Sequence, residues 1–208
     1  MSLSSLPRLY LITERHQTAD RPLSVVLSQA LEAGARMVQL REKDLETREL
    51  CELAKNLTPL FTTHQAHWLI NDRVDLVIAL EADGVHLRTD SLPVSVARKI
   101  LGSERLIGIS THSMEELKAA ESEGADFAVL GPIYKTPSKR RYGTPLGLQT
   151  AGQVCRASRI PVYAIGGVTP ERVGELRDAG FYGVAVISSV LQSENIQETI
   201  HRFLTLLS

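Results

Sequence analysis

Short apolar runs recur along the chain, with segments of helical spacing between most of them, and no other feature constrains the fold as strongly. The runs are Leu9 to Ile12, Met37 to Leu40, Trp68 to Ile70, Gly84 to Leu87, Leu106 to Ile109, Phe127 to Leu130, Val162 to Ile165 and Gly183 to Ile187. Continuous apolar stretches of this length suit parallel strands buried on both faces. The 208 residues shared among eight such units leave about 26 each, close to what a closed barrel of alternating strands and helices needs. An open doubly wound sheet would more naturally use fewer strands and longer helices. The reading is an α/β chain forming a single (β/α)8 TIM barrel, with residues 1–208 as one domain.

The joints agree with this order. Gly34, Gly84, Gly124 and Gly180 each fall just before an apolar run, where a helix must stop and the chain reverse. Ser113 and Glu116 have capping-box spacing, and Thr169 followed by Pro170 suits a cap and first helical position.

A formal net charge of -1 argues against a broad basic face, so no nucleic-acid partner is expected, while a local cationic pocket remains open. Cys51 and Cys155 sit singly in helical stretches, without metal-ligand spacing and too few for a disulfide framework. Met1 to Pro7 lacks the pattern of a secretory leader, and no apolar run reaches membrane-span length. A cytoplasmic protein without membrane association is expected.

In a barrel of this kind the reactive groups stand at the carboxyl ends of the strands and in the loops that follow. After the second run come Gln39, Arg41 and Lys43, alternate residues that share one side of an extended segment and aim an amide and two cations together. That is an anion grip, against the plainer reading of a solvated charge run. The third run ends in Asn71 and Asp72, an amide beside a carboxylate that suits magnesium, a cationic partner, or simply a helix cap. The fifth ends in Ser110, Thr111 and His112, with His112 placed to move a proton near neutral pH. His86 lies inside a strand pattern and reads as a hydrogen-bonded core residue.

The stretch from Gly131 to Gly143 is too long for a tight turn and carries hydroxyls and four cations, as a loop closing over a phosphorylated substrate would. The seventh run ends in Gly166-Gly167 and the eighth in Ser188-Ser189. Glycine lets backbone N–H groups approach a phosphate, and the loops after strands seven and eight are the common phosphate site of these barrels.

Taken in order, these residues resemble the thiamine phosphate synthase family, which includes the related aminothiazole tautomerases. The resemblance covers nearly the whole chain and is carried by Val38-Gln39-Leu40-Arg41-Glu42-Lys43, Asn71-Asp72-Arg73, Asp83-Gly84-Val85-His86-Leu87, Gly131-Pro132-Ile133-Tyr134 with Thr136, Ser138 and Lys139, Ile165-Gly166-Gly167 and Val186-Ile187-Ser188. It implies a magnesium-dependent synthase, a homodimer, that joins hydroxymethylpyrimidine pyrophosphate to thiazole phosphate and releases pyrophosphate. On that resemblance Gln39 contacts the pyrimidine and Ser110 sits near the reacting carbon. Arg41, Lys43, Asn71, Thr136, Ser138 and Lys139 surround the pyrophosphate, Asp72 holds the metal, and Gly167, Ile187 and Ser188 hold the thiazole phosphate.

One segment departs from the pattern. Where synthases carry a magnesium-binding Asp before Leu-Pro, this chain reads Arg88-Thr89-Asp90-Ser91-Leu92-Pro93, with Ser91 at the acid position. A hydroxyl is a poorer ligand for a hard cation than a carboxylate. That leaves two further readings open: a tautomerase needing neither pyrophosphate nor magnesium, with His112 as acid-base group, and a catalytically silent regulator that keeps the phosphate site.

Overall fold

A computed structural model describes residues 6–135 and 145–208. Its strands are β1 (Leu9–Ile12), β2 (Met37–Leu40), β3 (His67–Asn71), β4 (Gly84–Leu87), β5 (Leu106–Thr111), β6 (Phe127–Leu130), β7 (Val162–Ile165) and β8 (Gly183–Val186). They pair in parallel, in sequence order, and close through β1 and β8 into a barrel. Around it run α1 (Leu23–Glu32), α2 (Thr47–Thr63), α3 (Val74–Ala79), α4 (Val94–Leu101), α5 (Met114–Glu123), α6 (Leu148–Arg156), α7 (Val173–Ala179), α8 (Ser188–Leu191) and α9 (Ile196–Leu207). The expected (β/α)8 barrel is the fold observed. Among the described residues no helix is long and apolar enough to cross a membrane.

Strand periodicity divides the core into two layers. Alternate residues such as Leu9, Leu11, Val38, Leu40, Val85 and Leu87 pack outward under the helices. The others, including Tyr10, Met37, Leu69, Phe127, Val129 and Tyr163, form a second cluster that fills the barrel. Tyr10, Phe127 and Tyr163 meet edge-on or tilted, with ring centroids 5.5 to 5.9 Å apart. Gly108 makes room for this plug, since a Cβ there would lie 2.2 Å from the Phe127 ring. The amino-terminal end is closed by the segment before β1: the Tyr163 hydroxyl donates to the Pro7 carbonyl at 2.7 Å, and Leu6 is buried.

Several joints differ from expectation in instructive ways. Gly34, Gly124 and Gly180 do adopt positive φ where helices end, but Gly84 is the first residue of β4. Its need is close approach, because a Cβ would lie 2.1 Å from the Leu106 carbonyl oxygen. Ser113 caps α5 by accepting from the Glu116 N–H at 3.2 Å, while the Glu116 carboxylate reaches the His112 N–H at 2.6 Å and leaves the reciprocal half of the box unmade. Pro170 opens a 3-10 turn (Pro170–Arg172) ahead of α7, and Thr169 makes no side-chain cap bond. Strands β3 and β5 run further than their apolar residues, carrying the polar Asn71 and Ser110 inside the sheet.

Candidate active site

The carboxyl ends of all the strands open on one face of the closed barrel, and the described site residues lie there. Gln39 is the third residue of β2, with Arg41 and Lys43 just beyond; Asn71 ends β3 and Asp72 follows. Ser110 lies in β5 and His112 follows it; Gly167 follows β7 and Ile187 follows β8. Because β1 pairs with both β2 and β8, the amide-and-cation side and the glycine-serine side flank one strand. Thr136, Ser138 and Lys139 lie outside the described residues.

At the floor of this mouth Gln39 is 1% exposed, and its Nε2 donates to Asn71 Oδ1 at 3.0 Å. Gln39 Oε1 has no partner; with Thr111 Oγ1 it is one of the buried side-chain polar atoms so left among the described residues. An unsatisfied buried carbonyl costs about 1 to 3 kcal/mol, which a ligand N–H would recover. Beneath it, His86 Nε2 bonds Ser110 Oγ at 3.0 Å and His86 Nδ1 faces the Tyr10 hydroxyl at 3.4 Å. His86 is thus the hydrogen-bonded core histidine expected, and it orients Ser110. Burial and the neighbouring Tyr163 hold the Tyr10 hydroxyl well above the usual phenol range, so it stays protonated.

The loop after β2 is fixed by a residue that charge patterning passes over. Glu42 turns inward between Arg41 and Lys43, its side chain fully buried. It accepts from Thr13 Oγ1 at 2.6 Å, from the Arg15 N–H at 2.9 Å and from Arg15 Nη1 at 3.4 Å. Thr13 Oγ1 in turn accepts from the Arg41 N–H at 2.9 Å. β2 ends at Leu40 and the chain turns at Lys43 and Asp44, so the extended alternation expected to align Gln39, Arg41 and Lys43 does not reach Lys43. Arg41 pairs loosely with Glu14 at 3.4 Å. The exposed Lys43 ammonium titrates below the usual lysine range, by desolvation first and then by repulsion from Arg41 and Arg88.

On the β4 and β3 side, Arg88 Nε lies 3.6 Å from Asp72 Oδ2 and 3.1 Å from Asp90 Oδ1. Asp72 has φ +62 and does not cap α3, whose N-cap is Arg73. Ser91 Oγ is turned back to accept the Arg88 N–H at 2.9 Å. Magnesium meets a mixed donor set here. Among the described residues no group of three or more His, Cys, Asp and Glu side chains is placed to hold a metal, and the guanidinium stands where an ion shared by Asp72 and Asp90 would lie. Asp72 alone, joined by phosphate oxygens and water, fits the way magnesium is commonly bound beside phosphates.

Across the mouth, Gly166 and Gly167 both adopt positive φ, and a Cβ on Gly166 would lie 2.7 Å from that of Pro132. The β6 and β7 loops are zipped by Ile133 N–H to Ile165 O at 2.9 Å and Tyr134 N–H to Gly166 O at 3.1 Å. Ser188 and Ser189, expected to end the eighth strand, instead begin the short helix α8, with Ile187 as its N-cap. The first N–H groups of a helix lack intrahelical partners, which suits a phosphate here. The His112 ring is held by Glu116, Nδ1 to Oε2 at 3.1 Å. A groove of about 690 Å³ lies elsewhere, beside α9 between Asn195 and Leu206; its place on the outer ring sets it apart from the strand ends.

The sequence profile of the family described as thiamine monophosphate synthase matches residues 9–190. The chain belongs to the thiamine monophosphate synthase family. Among family relatives, the thiamine-phosphate synthase of Chlorobium luteolum is 42% identical over 202 residues, 97% of this chain and 93% of that protein. The thiamine-phosphate synthase of Halalkalibacterium halodurans is 40% identical over 200 residues, covering 96% and 95%. A solved structure, thiamine phosphate pyrophosphorylase from Pyrococcus furiosus, matches with a TM-score of 0.87 at 34% identity, over 96% of this chain and 95% of that one. The resemblance carried by the strand-end motifs is therefore family membership.

Proposed function

We propose that this chain is a thiamine-phosphate synthase, a transferase that couples hydroxymethylpyrimidine pyrophosphate to thiazole phosphate and releases pyrophosphate. The observation that carries the reading is the join of an amide pair, Gln39 buried and Asn71 half-buried, to a cationic rim. Gln39 Oε1 is an acceptor without a partner, suited to an N–H of a nitrogen heterocycle. Asn71, whose Oδ1 already serves Gln39, keeps its N–H donors for an anion. Arg41 and Lys43 follow in the loop after β2.

In the reaction the bond between the pyrimidine methylene carbon and the pyrophosphate oxygen breaks, and its electron pair leaves with pyrophosphate. The thiazole nitrogen supplies the pair that forms the new carbon-nitrogen bond. Negative charge therefore grows on the leaving group, where Arg41, Lys43 and Lys139 lower the barrier without reorganising. Thr136 and Ser138 add hydroxyl donors. Gly167, Ile187 and Ser188 hold the thiazole phosphate, and Ser110, fixed by His86, borders the reacting carbon. Alignment of the two substrates supplies much of the remaining acceleration. Magnesium bound by Asp72 and phosphate oxygens would add charge neutralisation at the leaving group.

A homodimer accompanies this reading. Ile78, Leu92, Val96 and Ile100 are exposed on or beside the neighbouring helices α3 and α4, where a second copy would cover them. Both cysteines are free thiols, which is consistent with the expected cytoplasmic setting.

The test is incubation with both substrates, with and without magnesium, followed by chromatography of thiamine phosphate. Product formation supports the synthase. Isomerisation of a carboxylated thiazole phosphate without coupling, abolished in His112→Ala, would assign the tautomerase instead. Ligand binding with neither reaction would assign the silent regulator.

A further inference from the structure

Arg88 is the first residue beyond β4, at the same face as Gln39, Asn71 and Ser110. Its guanidinium meets Asp90 side-on, Nε to Oδ1 at 3.1 Å and Nη2 to Oδ2 at 3.2 Å, and faces Asp72 Oδ2 from Nε at 3.6 Å. A guanidinium has five N–H donors in a fixed plane. Side-on pairing uses the Nε donor and one Nη2 donor, which leaves the end-on fork of Nη1 and Nη2 open. That fork matches two oxygens of a phosphate group. Repulsion from Arg88 is also felt at Lys43, so the loops after β2 and β4 bring their cations into one field. The turn that carries Arg88 is built from its own backbone: Arg88 N–H to Ser91 Oγ at 2.9 Å and Ser91 N–H to the Arg88 carbonyl at 3.1 Å. Arg88 is therefore presented by a local scaffold, and its side chain is not needed to form the loop.

We propose that Arg88, held between the carboxylates of Asp72 and Asp90, binds the pyrophosphate group and supplies part of the positive charge that a divalent cation would otherwise bring. This rests on the synthase reading for the identity of the anion. Two consequences follow from one geometry. Pyrophosphate binds to this protein without metal, and a metal ion must compete with a resident guanidinium for the carboxylates.

The experiment is calorimetric titration of the full-length protein with inorganic pyrophosphate, in chelator and in magnesium, beside electron paramagnetic resonance titration with manganese. The wild type and the Arg88→Ala and Arg88→Lys variants are compared. Wild type is expected to bind pyrophosphate in chelator within about tenfold of its affinity in magnesium. Arg88→Ala is expected to lose at least about tenfold in chelator, the scale of a charge-assisted bidentate contact. The same variant is expected to bind manganese more tightly, because Asp72 and Asp90 are released. Lysine, a point charge without the fork, is expected to fall between. Damage to the loop alone would weaken both ligands together, and that result overturns the proposal. Unchanged pyrophosphate affinity in Arg88→Ala overturns it equally. If wild type forms no thiamine phosphate while these titrations behave as described, the synthase reading fails and Arg88 stands as an anion-binding residue.

Discussion

Replacing Glu42 by alanine tests whether one buried carboxylate sets the cationic rim. Its side chain is fully buried and accepts from Thr13 Oγ1, the Arg15 N–H and Arg15 Nη1. Removal leaves the Thr13 hydroxyl, buried at 0% exposure, without its acceptor, at roughly 1 to 3 kcal/mol. The part-buried Arg15 N–H adds about 1 kcal/mol. The Arg15 guanidinium adds little, since Asp44 still holds it through two contacts of 2.6 Å. The total is about 3 kcal/mol, near the lower end for breaking a buried ion pair and a sizeable part of a domain's usual 5 to 15 kcal/mol. Urea unfolding followed by circular dichroism measures it through the midpoint at constant slope. Glu42→Gln keeps an acceptor for Thr13 and is expected to lose about 1 kcal/mol. Because the Arg41 N–H is held by the same Thr13 hydroxyl, Glu42→Ala is also expected to lower kcat/KM under conditions where it remains folded. A cost below about 1 kcal/mol with full activity would refute the anchoring role argued from these bonds.

If Lys43 binds the leaving group as proposed, its lowered titration is expected to set the alkaline limb of activity: as pH rises through a value below the ordinary 10.5, the cation is lost and kcat/KM falls. Lys43→Arg is expected to move that limb upward, and an unmoved limb assigns it to another group. Gln39→Leu deletes the bond to the half-buried Asn71 but also a buried carbonyl that has no partner, two effects of opposite sign, so unfolding free energy is expected to change by less than about 1 kcal/mol while KM for the pyrimidine substrate rises about tenfold or more; parallel losses in both would mark Gln39 as structural. If the proposed homodimer holds, the wild type sediments as a dimer and Ile100→Asp on the exposed side of α4 is expected to shift it to monomer with the far-ultraviolet spectrum intact; a monomeric wild type would overturn the dimer, and an unchanged dimeric variant would overturn this interface.

Strand positions were readable because parallel strands buried on both faces leave continuous apolar runs, as in β1, β6, β7 and β8. The reading faltered where a strand serves the site. Asn71 and Ser110 do fall at the ends of β3 and β5 as expected, but Ser188, expected to end the eighth strand, belongs to a short helix because the chain turns directly after Val186. Gln39, Arg41 and Asn71 were legible from alternation and place in the chain. Their supports were less so: Glu42 reads as one more charge in Arg-Glu-Lys-Asp, yet its partners Thr13 and Arg15 lie 29 and 27 residues away. The place of Glu42 on the same side as Val38 and Leu40, which pack under the helices, was the available signal. Arg88 stood out only as a departure from the family pattern, and nothing local in the sequence indicates that it meets Asp72.

The physical logic of the mouth is a division of labour between burial and charge. Gln39 and Asn71 are fixed at the floor, where their geometry is dictated by packing and one hydrogen bond. Arg41, Lys43 and Arg88 stand at the rim, where water screens them until a ligand displaces it. Three carboxylates, Glu14, Asp72 and Asp90, lie close to those cations, so the ligand-free rim does not carry its repulsion unrelieved. A polyphosphate that enters replaces weak, solvated carboxylate contacts with desolvated ones, and the gain grows as charge moves onto the leaving group. On the proposed roles of these residues, stabilisation would be greatest when the carbon-oxygen bond is breaking, which is the property a catalyst for this transfer requires.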